Sequence, residues 1–292
     1  MRALILTNEF PPHVYGGAGV HVDYLTREMR KLIEVEVRSF AGDEAQGEGW
    51  RVRSYSPAHD LSSADEKLRG LWGALSRDIG FAADPVTADL VHCHTWYTHL
   101  AGILTRLAYG IPLVITVHSL EPLRPWKREQ LGGGYDVSTW VERTALQMAD
   151  AVVAVSRETR EDVLRLFEVA PERIHVIHNG IDADEYARTD ATDAIEALGV
   201  DPSVPYVLFV GRVTRQKGIV HLVRAIRHLD PGIGVVLAAG QPDTLAIAAE
   251  MEAGVATAQA ERPNVVWIPR MLDRPSVIQL YSHAAIFCCP SV

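Results

Sequence analysis

Cysteine is scarce: three among 292 residues, Cys93 and the adjacent Cys288 and Cys289. An odd count without paired zinc-type spacings supplies neither a disulfide framework nor a thiolate cluster, and a chain of this length buries sizeable cores without either. A basic excess is missing as well. Lys and Arg total 28 against 37 Asp and Glu, a formal net charge of −9. That argues against nucleic acid as a partner, yet a few local cations can still hold an anionic small molecule. No apolar run approaches the roughly 18 residues needed to span a bilayer. The opening MRALILTNEF is an apolar strand pattern with no cleavage-site signature, so it does not read as a signal peptide. These absences fit a reduced, cytoplasmic enzyme.

What is present is an ordinary globular composition, 48% apolar and 22% charged, in which short β-branched runs alternate with helical stripes. Strands are expected at 3–7, 35–40, 90–94, 113–117, 151–155, 175–177, 206–210, 235–239, 265–268 and 286–289. Most are continuous apolar runs, as parallel strands covered on both faces require. Helical stripes lie between them: Val22, Leu25, Met29 and Leu32; Val137, Trp140, Val141, Ala145 and Met148; Ile219, Leu222, Val223 and Ile226; Val277, Leu280, Tyr281 and Ala284. This alternation predicts an α/β protein with parallel sheets. The stretch 182–205 is acidic, turn-rich and poor in large apolar residues. It marks the expected boundary between a domain at 1–190 and a second at 191–292. The second sheet has only four strands, and the sequence stops in the loop after the last of them, so the second domain reads as incomplete.

In paired α/β sheets ligands collect outside the carboxyl ends of the strands. After the first strand comes Glu9, then Gly16 and Gly17, which let the backbone approach a ligand and lead into a helix N-terminus; a flexible loop is the bland alternative. His92 and His94 share a face of the third strand, but no third ligand at metal spacing is evident, so a structural or substrate-contacting role is expected of them. His118 ends the fourth strand and faces the expected site. Ser156 follows the fifth, where an N-cap role alone explains it, and Asn179-Gly180 after the sixth is a natural turn. The most informative run is Phe209 to Gly218: Gly211 permits a tight strand exit, and Arg212 and Lys217 flank a loop that, with the following helix, can neutralise a diphosphate.

The segments EFPPHVYGGAG, VHCHTWYTHLAG, TVHSLEP, VSRETREDV, HNGIDADEY, GRVTRQKG and the final PSV, in this order along essentially the whole chain, resemble the retaining glycosyltransferases of the two-domain GT-B fold. The likeness is to bacterial glycogen synthases of the actinobacterial type, to maltose-1-phosphate synthases and to their family 4 and 5 relatives. The resemblance implies two Rossmann-like domains, an N-terminal acceptor domain and a partial C-terminal donor domain. It also implies a nucleotide-sugar donor, ADP-glucose before UDP-glucose, and an α-1,4-glucan or glucose 1-phosphate as acceptor in glycogen and α-glucan biosynthesis. In such enzymes the residues matching Arg212 and Lys217 hold the diphosphate and that matching His118 contacts the transferred sugar. Gly16, Gly17, Ser156, Asn179 and Gly211 fall on the donor side; Glu9, His94 and Trp96 on the acceptor side. No metal and no cofactor is implied.

Two differences favour the family 4 type. Tyr15 stands where classical glycogen synthases carry Lys, and Thr95 where they carry Asp. The family's later glutamate-bearing PSxYEPFG segment does not follow Pro290-Ser291-Val292. The alternatives are a sugar-nucleotide-binding chain without turnover, recognised by binding alone, and a GT-B epimerase, recognised by turnover without acceptor.

Overall fold

The structure is a computed structural model that describes residues 1–14, 16–240 and 242–292, so Tyr15 lies outside the described residues. Its chain forms two units, Met1–Gly180 and Ile181–Val292.

In the first unit Leu4, Ile5 and Leu6 have no exposed surface, because their strand is central in an eight-stranded sheet. The strands are β1 (Arg2–Thr7), β2 (Glu34–Ser39), β3 (Ala45–Gly47), β4 (Trp50–Ser54), β5 (Leu90–His94), β6 (Leu113–Val117), β7 (Ala151–Ala154) and β8 (Ile174–Val176), in the order β3-β4-β2-β1-β5-β6-β7-β8. Only β3 runs antiparallel to its neighbour. Helix α1 (Gly17–Met29) covers one face, where Val22 packs with Ala3, Ile5, Val35 and Val37. On the other face lie α2 (Glu66–Ala83), α3 (His99–Tyr109), α4 (Lys127–Leu131), α5 (Gly134–Met148) and α6 (Arg157–Leu166). Phe81, Ala101, Leu146 and Val163 from these helices join Leu4, Leu6, Val91 and Ile115 in the main core. Each such Leu, Ile or Phe contributes about 1.5–3 kcal/mol by leaving water.

The edge β3–β4 was not apparent in the sequence. Both strands are short, β3 is fully exposed and β4 mixes arginines with its apolar residues. Strand β2 also departs from the expected apolar run: Glu36 and Arg38 are buried in it as an ion pair, Arg38 Nε to Glu36 Oε1 at 2.8 Å. Arg38 also donates to the carbonyls of Phe81, Asp84 and Pro85 at the end of α2. Three stripe residues are exposed, one of them Tyr281 in the second unit, at 41%. Leu32 lies beyond the end of α1 and Trp140 on the outer side of α5, 84% and 59% exposed.

The second unit has a four-stranded parallel sheet, β9 (Tyr206–Arg212), β10 (Gly234–Gly240), β11 (Val265–Ile268) and β12 (Ile286–Phe287), ordered β11-β10-β9-β12. Helices α7 (Asp193–Ala197) and α10 (Arg274–His283) pack on one face, α8 (Ile219–Ala225) and α9 (Leu245–Glu261) on the other. Residues 181–190, expected in the first domain, belong here. Thr189 N donates to Ser282 Oγ at 3.1 Å and Glu185 pairs with Arg274, both partners on α10. Strand β12 is shorter than the expected 286–289, and Ile286 and Phe287 are exposed at the sheet edge. Among the described residues no helix is long and apolar enough to cross a membrane.

Candidate functional site

The carboxyl ends of β1, β5 and β6 bring together most of the residues expected to act in the first unit. Beyond β1, the Glu9 carboxylate accepts the Gly16 N–H at 2.7 Å and the Asn8 amide at 3.3 Å. The loop is thereby tied to the start of α1, where a carboxylate is favoured by the helix dipole. Gly16 is extended at φ −152°, a conformation open to any residue, and its N–H is already engaged. Gly17 has open space in front of it. The glycine that packing demands is Gly19: a Cβ there would stand 2.8 Å from the Glu9 Cβ.

Three histidines converge behind this loop. His94 ends β5, the His118 side chain follows β6, and one ring donates to the other across 3.1 Å between His94 Nδ1 and His118 Nε2. His21, on α1, stands edge-on to His118 with ring centroids 4.8 Å apart. Below them His92 is bonded to Thr116 Oγ1 at 2.8 Å and lies 4.4 Å from the His94 ring. Burial, helped by the neighbouring His21 and His92, pushes His118 down to about 3. Burial and then His21 push His92 to about 4, and His94, with no exposed surface, is also held well below the usual imidazole range. The cluster is neutral at physiological pH: its rings offer N–H groups and lone pairs, not charge. His94 Nε2 is buried without a hydrogen-bond partner.

His21 was missed in the sequence. The available signal was its place four residues after Gly17, on the same side of a helix that starts at a strand-end loop. It also supplies the third histidine that sequence spacing did not reveal: one ring nitrogen each of His21, His94 and His118 lies within 4.8 Å of the others.

The other expected residues of this unit lie differently. Trp96 is buried, stacked on Tyr97 with centroids 4.3 Å apart, so it forms wall rather than open surface. Ser156 caps α6, accepting from Thr159 N at 3.0 Å. Asn179 is exposed beyond β8, where the expected Asn179-Gly180 turn does not form and the chain turns only at 183–186; the neighbouring His178 ring has its Nδ1 3.1 Å from Val155 O.

In the second unit β9 runs on through Gly211 to Arg212, so these residues belong to the strand rather than to its exit. Arg212 pairs with Asp243, Nη1 to Oδ1 at 3.2 Å. Thr214 folds the next turn by accepting the Lys217 N–H on Oγ1 at 3.1 Å, leaving the Lys217 side chain half-buried. Gly218 closes the turn at φ +63°, and a Cβ there would lie 1.9 Å from Pro290 O. Val292 N donates to Gln216 O at 3.0 Å. The residues after β12 therefore form the floor under the Arg212–Lys217 loop. The helix expected after that loop is α8, of seven residues.

The family model described as Glycosyltransferase Family 4 matches residues 15–185. Alpha-maltose-1-phosphate synthase of Mycolicibacterium smegmatis is 48% identical across 100% of this chain and 74% of its own length. The enzyme of the same name from Mycobacterium tuberculosis is 46% identical, with the same coverage. Among solved structures, sucrose-phosphate synthase from Thermosynechococcus elongatus superposes with a TM-score of 0.74 at 19% identity, over 100% of this chain and 76% of that one. The fold is that of the GT-B glycosyltransferases. The chain belongs to glycosyltransferase family 4, and it is a glycosyltransferase.

Proposed function

We propose that this protein transfers glucose from a nucleotide sugar, ADP-glucose, to the 4-hydroxyl of glucose 1-phosphate with retention of the α configuration, giving maltose 1-phosphate. The observation that carries this reading is the 48% identity, over the whole chain, to an enzyme named for that product. The anomeric C1–O bond to the diphosphate breaks and a C1–O bond to the acceptor forms. The acceptor's proton passes to the departing phosphate oxygen on the same sugar face.

In this reading Arg212 and Lys217 receive the negative charge that develops on the leaving diphosphate, where fixed cations lower a barrier most. Asp243 holds the Arg212 guanidinium in place until then. His118, neutral and backed by His94, hydrogen-bonds the transferred glucose. Neutrality suits that task, because a sugar hydroxyl needs a donor or a lone pair rather than a charge.

The test is product analysis with ADP-glucose and either glucose 1-phosphate or a maltooligosaccharide. An α-linked disaccharide phosphate is expected with the first, and faster elongation of the second would overturn the acceptor. Arg212→Ala and Lys217→Ala should each lower kcat at least tenfold, about 1.4 kcal/mol of transition-state stabilisation; values within twofold of wild type would remove their role.

A further inference from the structure

The three-histidine cluster has the composition of a transition-metal site. His21 comes from α1, His94 from the end of β5 and His118 from the end of β6. The sheet, not a local motif, therefore fixes their spacing. Their donor atoms lie within 4.8 Å of one another, and His94 Nδ1 and His118 Nε2 are already 3.1 Å apart. Zinc binds imidazole at about 2.0–2.1 Å, which puts neighbouring donors of a tetrahedron about 3.3 Å apart. The His94–His118 pair meets that spacing as it stands, and the His21 ring reaches it by a movement of about 1.5 Å at most. Three nitrogens and no carboxylate favour zinc and its neighbours over magnesium or calcium, which select oxygen. Plain aromatic packing accounts for the edge-on His21–His118 contact, but not for a ring nitrogen of each of three histidines gathered within 4.8 Å.

We propose that His21, His94 and His118 bind a borderline-soft divalent ion, zinc above all, and that the ion blocks sugar transfer by displacing the His94 hydrogen bond that backs the His118 ring and so turning that ring from the donor. The blocking half rests on the role given to His118 under the proposed function; the binding half rests on the histidine geometry alone.

The experiment uses the purified protein, stripped with a chelator and then dialysed, and titrated with zinc by calorimetry and with cobalt by visible absorption. One zinc per chain is expected, with the intense visible bands of tetrahedral cobalt. His21→Ala and His94→Ala should each weaken binding at least tenfold, whereas His59→Ala, remote in the sequence, should leave it unchanged. His21→Asn provides a second, milder variant, and unfolding curves establish that each variant is folded. Zinc binding that His21→Ala does not weaken, or octahedral cobalt spectra, would overturn the site. Zinc bound with one-to-one stoichiometry while transfer from ADP-glucose continues undiminished would leave the site standing and overturn the blocking role, and with it the contact assigned to His118.

Discussion

Thr95 Oγ1 donates a hydrogen bond to Asn8 Oδ1 at 2.9 Å, and it does so from a backbone conformation of φ +68°, ψ 155°. That region is nearly confined to glycine, and a β-branched residue held there stores about 1–3 kcal/mol. The strained residue directly follows His94, so the bond joins the loop after β1 to the residue that sets the His94 ring. Thr95→Gly removes the strain but also loses one hydrogen bond of about 1 kcal/mol and adds about 0.5–1 kcal/mol of unfolded-state entropy. These nearly cancel, so urea unfolding should shift by less than about 1 kcal/mol. Asn8→Ala keeps the strain and removes its restraint, and should destabilise by about 1–3 kcal/mol. Equal losses in the two variants would show that Thr95 is not held against its preference.

Gly218→Ala and Gly17→Ala should behave oppositely. The first sets a Cβ 1.9 Å from Pro290 O at positive φ, the second meets nothing within 4 Å. Because a backbone atom cannot rotate away, Gly218→Ala must displace the Lys217 turn. It should lower kcat/KM at least tenfold, with the donor KM rising, whereas Gly17→Ala should stay within about threefold. Steady-state kinetics with varied donor separates the two. Unaltered donor KM in Gly218→Ala would mean that the floor beneath the loop does not position it.

Acid should unfold the protein through its buried histidines. Burial lowers His99 to about 3, as it does His118, and His92 to about 4. All three are neutral in the fold and charged in the unfolded chain below about pH 6.5. The unfolded state therefore binds more protons between about pH 6.5 and 4, and stability falls as pH falls through that window. Three such groups contribute a slope of roughly 4 kcal/mol per pH unit near its middle. Denaturant midpoints measured from pH 7 to 4.5 test this; a flat profile would contradict it.

Glu142 works in the other direction. Burial pushes its carboxyl up to about 8, against the Glu121 N–H and the nearby Lys127 and Arg124, which lower it. It is protonated in the fold and ionised in the unfolded chain above about pH 4.3, so its contribution falls as pH rises from there toward 8 and is constant above. Glu142→Gln keeps an acceptor for the Glu121 N–H, bonded at 2.8 Å to Glu142 Oε2. It should flatten the decline in stability between pH 6 and 8. An identical slope in wild type and variant would show that Glu142 does not take up the proton.

The sequence was most readable where one residue's chemistry decides its place. Continuous runs such as LVITV became buried parallel strands, and Ser156 became the cap that its position suggested. Reading failed where the deciding partner lies far along the chain. Glu36 and Arg38 look like surface residues until each is given the other and the carbonyls of α2. The edge strands β3 and β4 carry too little apolar surface to announce themselves. His21 reads as a polar helix residue, and joins the site only because β5 and β6 deliver His94 and His118 beside it. Gly19 is required by the Glu9 side chain across the loop, a contact that no local pattern around Gly19 announces.

The placement of β1 has a consequence for how the chain is made. It leaves the ribosome before either of its neighbours, because its two edges pair with β2 and with β5, whose partner residues begin at Glu34 and Leu90. At about 5–20 residues per second, roughly 4–17 s separate the emergence of its last residue from that of the far neighbour. During that interval the apolar run Ala3–Leu6 has one open edge, and a nascent-chain chaperone that recognises short extended apolar segments would find a target there.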